Sequence, residues 1–282
     1  MPRVFGQALR IGVAQHAVSL LRVSRWGAAA PQLLAEQACA PAGPGEGAEG
    51  APFAAIGQAL RDMLAQPALA GQLAGRAVTF VLDEQLVRLW QVAPPAGASR
   101  LADLEAAAAL RFQALYGEAP GAWRILADCD AAAPFFAAAV PRALLALLEQ
   151  VAAAHRLAVV GVEPHFIAAW NRWRRALKPG AWFGLVHDNL LILAALQERR
   201  LRAVRTLLVP HHADAYWLRQ MLAREALLLE LDAPQQLQLC GAAAPSWLAP
   251  AAAERIGCAA LEPALGPEWS VAARLARSGS RA

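Results

Sequence analysis

The sequence predicts an α/β protein of two lobes, each containing three strands followed by helix, strand and helix. The first observation is that Leu9 to Pro41 and Ala181 to Pro210 each contain three short apolar runs separated by polar breaks. The second is that segments of matching helical and strand periodicity follow both stretches in the same order, as in an internal repeat. A chain of 282 residues is long enough for two ordinary domains. We therefore predict lobes at 1–178 and 179–282.

The first copy begins with three predicted strands. Its strand breaks fall at Gln15 to His16 and at Gly27, and the Pro- and Gly-rich segment Pro41 to Pro52 is a predicted loop. Apolar periodicity predicts the remaining elements. They are a helix over Phe53 to Leu69, a strand over Ala77 to Leu82, a helix over Arg142 to His155, a strand over Leu157 to Val162 and a helix over Pro164 to Leu177.

The second copy repeats this order. Its strands break at His187 to Asn189 and at Glu198 to Arg200. The elements that follow are a helix over Ala213 to Leu231, a strand over Leu237 to Cys240, a helix over Ser246 to Ile256 and a strand over Cys258 to Leu261. Ser246 is the expected N-cap of its helix. The basic tail after Pro267 is expected to be frayed.

The segment Asp83 to Ala139 has no counterpart in the second copy. It contains a strand over Gln85 to Val92, a helix over Leu101 to Tyr116, and strands over Ala122 to Asp128 and Phe135 to Val140. We predict a small α/β subdomain, 83–139, inserted into the first lobe.

Composition narrows the class of protein. The hydrophobic fraction is 57%, but no apolar run approaches the ~18 residues of a membrane-spanning helix. The start of the chain lacks the regions of a signal peptide, so a cytoplasmic protein is expected. The four cysteines show no CxxC spacing, which favours free thiols over a zinc site.

The excess of basic over acidic residues gives only weak support for nucleic-acid binding. The net charge is +4 and comes almost wholly from arginine. One basic and aromatic cluster is present, and it could be an exposed, charged helix face or a surface for acidic lipid or nucleic acid. Its residues are Trp170, Arg172, Trp173, Arg174 and Arg175. We interpret it as a charged helix face and expect no nucleic-acid partner.

The inserted segment carries a specific resemblance. Tyr116 and Pro120, Val140 and Pro141, and Glu163 to Ala168 match a Tyr-x-x-x-Pro element, a Val-Pro helix start and a V-(D/E)-x-x-x-x-A segment. With the doubled strand units, the chain resembles the actin-like ATPase superfamily, whose lobes have a ribonuclease H-like fold. It is most similar to the PilM type of type IV pilus assembly and to the cytoplasmic part of the type II secretion platform protein.

The resemblance implies a nucleotide-binding cleft, but the turns that would hold the phosphates lack the residues that bind them. In that family, turns opened by Asp and Gly bring backbone amides to the phosphates. Here Ala14 to Leu21 stand where D-I-G-S-S-S-V-K is expected. The second D-I-G-A element falls on Leu185 to Asp188 or on His187 to Leu190, and neither register has both Asp and Gly. The adenine-side element, L-S-G-G, is half retained as Leu239 to Ala242.

The phosphates would therefore lie unpaired, at a cost on the order of several kcal/mol. We expect no cofactor and no enzymatic activity. The degenerate cleft positions are Gly12, Ala14, His16, His187, Asp188 and Gly241.

Metal or anion binding and two-metal nuclease cleavage are two other chemistries that such a fold could support. His16, His187, His211 and His212 fall where the family places cleft glycines, so a speculative metal or anion site could form there. A two-metal nuclease needs clustered carboxylates beginning on the first strand. Ala14 follows that strand instead, and Asp83 with Glu84 has no recognisable companion. An ATPase with atypical cleft residues and a metal- or ligand-binding regulator stay open as alternatives.

The resemblance also implies a partner. PilM-type proteins capture a short cytoplasmic tail of a bitopic inner-membrane protein in a groove between the first core subdomain and the inserted one. Our candidates for that surface are Arg88, Trp90, Arg111 and Tyr116. The expected function is a non-catalytic scaffold of a pilus or type II secretion-like assembly, which reaches the membrane through its partner. Whether the protein forms homodimers is left open.

Overall fold

The computed structural model describes residues 7–24, 30–40, 53–249, 256–263, 266 and 269–279. The chain divides into two compact units, Met1–Ala168 with Ser270–Ala282, and Ala169–Trp269. The predicted lobes differ from these units at two places. The first boundary moves from 178 to 168, and the C-terminal segment joins the first unit because a helix within it packs on that unit's sheet. The predicted break at Gly27 and the loop 41–52 lie outside the described residues.

The first unit contains a five-stranded sheet in the order β3-β2-β1-β4-β8. Its strands are β1 (Gln7–Val13), β2 (Ala17–Ser24), β3 (Gln32–Ala38), β4 (Ala77–Leu82) and β8 (Ala158–Pro164). The first three pair antiparallel, while β4 pairs parallel with both β1 and β8. The predicted order of strands in this copy is therefore confirmed.

One face of this sheet is buried under two helices, α1 (Ala54–Leu64) and α3 (Arg142–Ala154). Alternate residues of β1 point into this core: Leu9, Ile11 and Val13 are at most 1% exposed. Helix α1 contributes Leu60 and Met63 to the same core. It ends at Leu64, before the predicted Leu69, and a single turn of 3₁₀-helix begins at Pro67.

A C-terminal helix, α7 (Val271–Arg277), packs against β1 and β2. Its residues Ala272, Ala273, Leu275 and Ala276 are fully buried. Ser270 caps the helix by accepting a hydrogen bond from the Ala273 amide, 3.0 Å away. The expectation of a frayed tail is therefore wrong for residues 270–279, because small apolar residues let this helix lie directly on the sheet.

The inserted subdomain is a three-stranded antiparallel sheet with one helix. Its elements are β5 (Arg88–Val92), α2 (Leu101–Tyr116), β6 (Trp123–Ala127) and β7 (Phe135–Pro141), and the strand order is β5-β7-β6. Helix α2 buries Leu104, Ala108 and Phe112, which are spaced four residues apart, against one face of the sheet. Strand β6 is left at an edge of this sheet.

The second unit repeats the five-stranded sheet, in the order β11-β10-β9-β12-β13. The strands are β9 (Ala181–His187), β10 (Leu190–Gln197), β11 (Arg200–Leu208), β12 (Gln236–Gly241) and β13 (Gly257–Ala260). Helices α5 (Ala215–Leu228) and α6 (Pro245–Leu248) cover one face, where Trp182, Leu218, Leu222 and Trp247 form the centre of the core. The chain passes from the first unit to the second within α4 (His165–Trp173).

One local prediction in this unit is wrong. Ser246 does not cap α6; the N-cap is Ala244, and Pro245 occupies the first helical position, where its missing N–H costs nothing. The rest of the helix predicted to reach Ile256 runs through 250–255, outside the described residues. No described helix of either unit is both long and apolar enough to cross a membrane.

Candidate functional site

The turn between β1 and β2 is short, and its backbone groups bond to each other. The Ala14 amide donates to the Ala17 carbonyl at 3.0 Å, and the Cys39 amide donates to the His16 carbonyl at 2.8 Å. Ala14 is fully buried, whereas Gln15 and His16 are exposed. Since Ala14 and His16 replace the Asp and Gly of the resembling family, this turn offers neither a carboxylate for magnesium nor the close backbone approach that a phosphate needs.

The corresponding turn of the second unit, between β9 and β10, is built differently. Asp188 adopts a left-handed conformation with φ of 52° and is exposed. His187 is 3% exposed and takes part in at least one interaction. The imidazole is therefore part of the packing of this turn, and the carboxylate of Asp188 lies at the surface.

Two glycines of the degenerate cleft have packing roles. A Cβ at Gly12 would lie 2.0 Å from the Ala272 carbonyl oxygen, so Gly12 allows α7 to approach β1. A Cβ at Gly241 would lie 2.1 Å from the Val186 carbonyl oxygen, and Gly241 has φ of 84°. The Gly241 amide donates to the Glu262 carboxylate at 3.0 Å. The Glu262 carboxylate thus already occupies this amide.

The histidines proposed for a metal site are spread over both units. His16 belongs to the first, and His187, His211 and His212 belong to the second, where His211 and His212 are exposed. Within the described part of the chain, no group of three or more His, Cys, Asp or Glu side chains could hold a metal ion. The histidine site stays a hypothesis that no contact in the structure supports.

The acidic pair after β4 caps backbone amides. Asp83 accepts a hydrogen bond from the Gln85 amide at 3.1 Å, and Glu84 accepts one from the Phe166 amide, in the first turn of α4, at 2.7 Å. Burial, followed by the nearby Asp83 charge, raises the pKa of Glu84 to about 7 against an opposing contribution from the Phe166 hydrogen bond. Glu84 therefore has a structural role at the start of α4, and Asp83 has one at the turn that follows β4.

Three of the four residues predicted to bind a partner meet in one aromatic cluster. The Arg88 guanidinium lies over the rings of Tyr116 and Trp123, at 5.5 and 5.2 Å from their centroids, and forms an ion pair with Glu118 at 3.4 Å. The Tyr116 hydroxyl donates to the Leu89 carbonyl at 3.2 Å, and burial raises its pKa.

Trp90 packs beneath this cluster and is 4% exposed. Its prediction as a surface residue is therefore corrected: its ring fills the core of the inserted subdomain against Phe112, at 5.2 Å between centroids. Arg111 is exposed on α2 and stands apart from the cluster. The four residues thus divide into packing and surface roles, and they do not form one continuous face.

The structure also shows a groove of about 430 Å³ beside the edge strand β6. We call it the β6 groove. Its walls are one side of α2, the strand itself, the turn before it and the first residue of α3. They are formed by Glu105, Ala108, Ala109, Pro120, Gly121, Trp123, Arg124, Ile125, Leu126, Ala127 and Arg142.

The chemistry of the β6 groove suits an extended peptide. Trp123 and Ile125 give it apolar walls, while Arg124, Arg142 and Glu105 supply charges. Arg142 also donates to the Gly121 carbonyl at 3.0 Å, which ties the insertion to the start of α3 in the core subdomain. An edge strand beside apolar pockets is the arrangement that binds an added strand through main-chain hydrogen bonds.

None of the groove residues was among the predicted partner-binding residues. The sequence carries little signal for them. The strand Trp123–Ala127 alternates buried and exposed positions and leaves Leu126 63% exposed, but a single exposed leucine is common on protein surfaces.

Comparison with known structures now defines the class: the chain has the actin-like fold. It is similar to the PilM–PilN type IV pilus biogenesis complex, with 18% identity, coverage of 99% of this chain and 96% of that chain, and a TM-score of 0.59. It is also similar to the cytoplasmic domain of EpsL, an inner-membrane component of the type II secretion system of Vibrio cholerae, with 17% identity, 96% and 94% coverage, and a TM-score of 0.55.

A third similar structure is a protein of unknown function from Bacteroides thetaiotaomicron with an actin-like ATPase fold. The identity is 10%, the coverage 85% and 84%, and the TM-score 0.54. No protein-family model and no curated protein sequence matches the chain. The predicted actin-like, two-lobed fold class is confirmed by these structures.

Proposed function

We propose that the protein is a non-catalytic cytoplasmic scaffold of a type IV pilus or type II secretion-like inner-membrane assembly, and that it binds the cytoplasmic tail of a membrane partner in the β6 groove. The observation that carries the proposal is the groove itself, which has a volume of about 430 Å³ and runs along the edge strand β6. Its position at the junction of the insertion and α3 corresponds to the groove that the resemblance implies.

The fold supports the same proposal. The two similar structures of known context are a pilus biogenesis complex and a component of an inner-membrane secretion system. Both have the arrangement found here over nearly their whole length. At these low identities they establish the fold alone, so the partner is inferred from the groove and its chemistry.

The non-catalytic part of the proposal is supported by the turns. The β1–β2 turn has Ala14 and His16 at positions that need Asp and Gly, and the Gly241 amide is bonded to Glu262. Without that Asp and Gly, the first turn lacks the usual partners of a magnesium ion and of the nucleotide phosphates.

The binding mode follows from strand geometry. A tail in extended conformation would add a fourth strand beside β6, and every second side chain would enter the groove next to Trp123 and Ile125. Acidic or polar side chains of the tail would lie near Arg124 and Arg142. Such a peptide needs no preformed helix and no nucleotide.

The test uses synthetic tails of bitopic membrane proteins encoded beside this chain. Labelled peptides are titrated with the purified protein, and binding is followed by fluorescence polarisation. The double variant Arg124→Glu/Leu126→Glu places two acids in the groove and is expected to weaken binding at least about tenfold, or 1.4 kcal/mol. Both side chains are exposed, so the fold should be retained.

The matched control is Arg100→Glu/Leu101→Glu. These exposed neighbours at the start of α2 undergo the same two changes, but neither lines the β6 groove. We expect the control to bind like the wild type. Equal losses in both variants, or binding of no tail from any neighbouring membrane protein, would contradict the proposal.

A further inference from the structure

A group of basic side chains converges on one side of the second unit. The chain after α4 and the β10–β11 turn both border a cavity of about 120 Å³ that includes Arg174, Lys178 and Arg199, with Glu198 as the sole acid of its wall. Arg175 and Arg200 are exposed beside these residues. We call these five cations the basic patch.

The charges of the basic patch are not neutralised within the unit. Arg174, Lys178 and Arg199 are exposed, and their side chains form no ion pair with any described residue. Opposed cations without carboxylate partners repel each other and so favour an external anion.

The turn that carries Arg199 is strained. Glu198 and Arg199 form a two-residue hairpin loop between Gln197 and Arg200, with φ of 51° and 64°. Such turns normally use Asn and Gly, because other residues are disfavoured at positive φ. Charged residues are kept at these strained positions, which indicates that their side chains have a role at the protein surface.

The geometry points to the headgroups of anionic phospholipids as the ligand, so we infer that this face of the second unit contacts the membrane surface directly. The cavity offers a headgroup phosphate three cations at once, and the flanking Arg175 and Arg200 can reach neighbouring headgroups. The proposed function expects membrane contact only through a partner, and the basic patch adds a second contact.

A nucleic acid fits this surface less well. Single strands are held by bases stacked on exposed aromatic rings. The three tryptophans nearest in sequence are already engaged: Trp170 packs edge-on against Phe183 at 5.8 Å, Trp173 lies under the Arg172 guanidinium at 4.9 Å, and Trp182 donates to the Leu196 carbonyl at 3.1 Å.

Vesicle cosedimentation of the full chain tests the inference without any protein partner. Vesicles of phosphatidylcholine with phosphatidylglycerol are compared with phosphatidylcholine alone, at low and high NaCl. We expect binding to the anionic vesicles only, lost at high salt. Replacing Arg174, Lys178 and Arg199 with Glu should lower the partition coefficient of the protein between vesicles and solution at least about a hundredfold. Each cation contributes about fivefold to that coefficient.

The matched control replaces Arg100, Arg156 and Arg224, all exposed and outside the patch, with Glu. It changes the net charge equally and should leave vesicle binding within about threefold. Equal losses in both triple variants would show that net charge alone acts, and would overturn the inference.

Two competitors distinguish the source of the phosphate. Millimolar inorganic phosphate should not release the protein from vesicles, since a bilayer engages several cations together. Release by phosphate, or tighter binding to a short DNA duplex than to anionic vesicles, would also overturn the inference. Tail peptides should bind the Arg174, Lys178 and Arg199 variant normally, so this test and that of the β6 groove fail separately.

Discussion

The two copies of the repeated unit share a sheet order but differ in what surrounds the sheet. In the first, α7 covers the second face of β1 and β2, and the inserted subdomain provides the β6 groove. In the second, the basic patch forms where the chain after α4 lies beside the β10–β11 turn. The repeated strands set the fold, whereas the two proposed binding surfaces differ in origin: one lies on the insertion of the first copy, and the other uses the charged β10–β11 turn of the second.

The largest effect is expected from Gly12→Ala in the first copy. Its new Cβ would meet the backbone oxygen of Ala272 at 2.0 Å, so α7 must move away from β1. We expect the free energy of unfolding to fall by about 3 kcal/mol or more, measured by urea denaturation.

Gly184→Ala, in the first strand of the second copy, is the comparison. There the new Cβ would meet the ends of the flexible side chains Leu239 and Leu191, at 2.6 and 3.1 Å, which can turn aside. We expect a loss of about 1 kcal/mol. If both variants lost the same free energy of unfolding, the contact between α7 and β1 would not make the first copy more sensitive than the second.

The second effect concerns Glu84, which caps the start of α4. Its pKa in the folded protein is about 7, above the ordinary value of 4.5. The folded state therefore holds the proton more tightly, and the stability this provides is complete below pH 4.5 and is lost as the pH rises through about 7. Glu84→Gln keeps an acceptor for the Phe166 amide and removes the charge.

We expect this variant to gain about 3 kcal/mol relative to the wild type between pH 4.5 and pH 8, in denaturation curves taken across that range. Glu149→Gln, at an exposed position on α3, is the control and should show no such trend. A pH-independent difference between wild type and Glu84→Gln would mean that Glu84 is ionised throughout.

The smallest effects compare the histidines of the two corresponding turns. His187 is buried and engaged, so His187→Ala should cost about 1 to 2 kcal/mol of unfolding free energy. His16 is exposed, and His16→Ala should stay within about 0.5 kcal/mol. If zinc raised the melting temperature of the wild type but of neither variant, the metal hypothesis would regain support.

Local sequence patterns predicted most of the fold. The hairpins, the insertion and the order of elements follow from apolar periodicity, and each appears in the structure within a few residues. Helix α7 was missed because its stability comes from Gly12, which lies more than 250 residues away in the chain, and no local pattern carries that contact. Ser246 was misread because Pro245 next to it is the stronger signal for a helix start.

The candidate site was harder to predict than the fold. Absence of the nucleotide motif was readable from Ala14 and His16, but the bond from the Gly241 amide to Glu262 depends on tertiary structure. Trp90 looked available in the sequence, yet the side of β5 it occupies faces α2. The β6 groove depends on which strand lies at the edge of a three-stranded sheet, and the order β5-β7-β6 cannot be deduced from spacing.

We propose that the insertion, and not a nucleotide cleft, provides the binding site of this protein. The most direct measurement titrates one sample with Mg²⁺–ATP and, in parallel, with the cytoplasmic tails of neighbouring membrane proteins, by calorimetry. We predict saturable binding of one tail, weakened by Arg124→Glu/Leu126→Glu, and no heat from ATP. Micromolar ATP binding or magnesium-dependent hydrolysis, together with no tail binding, would contradict the account.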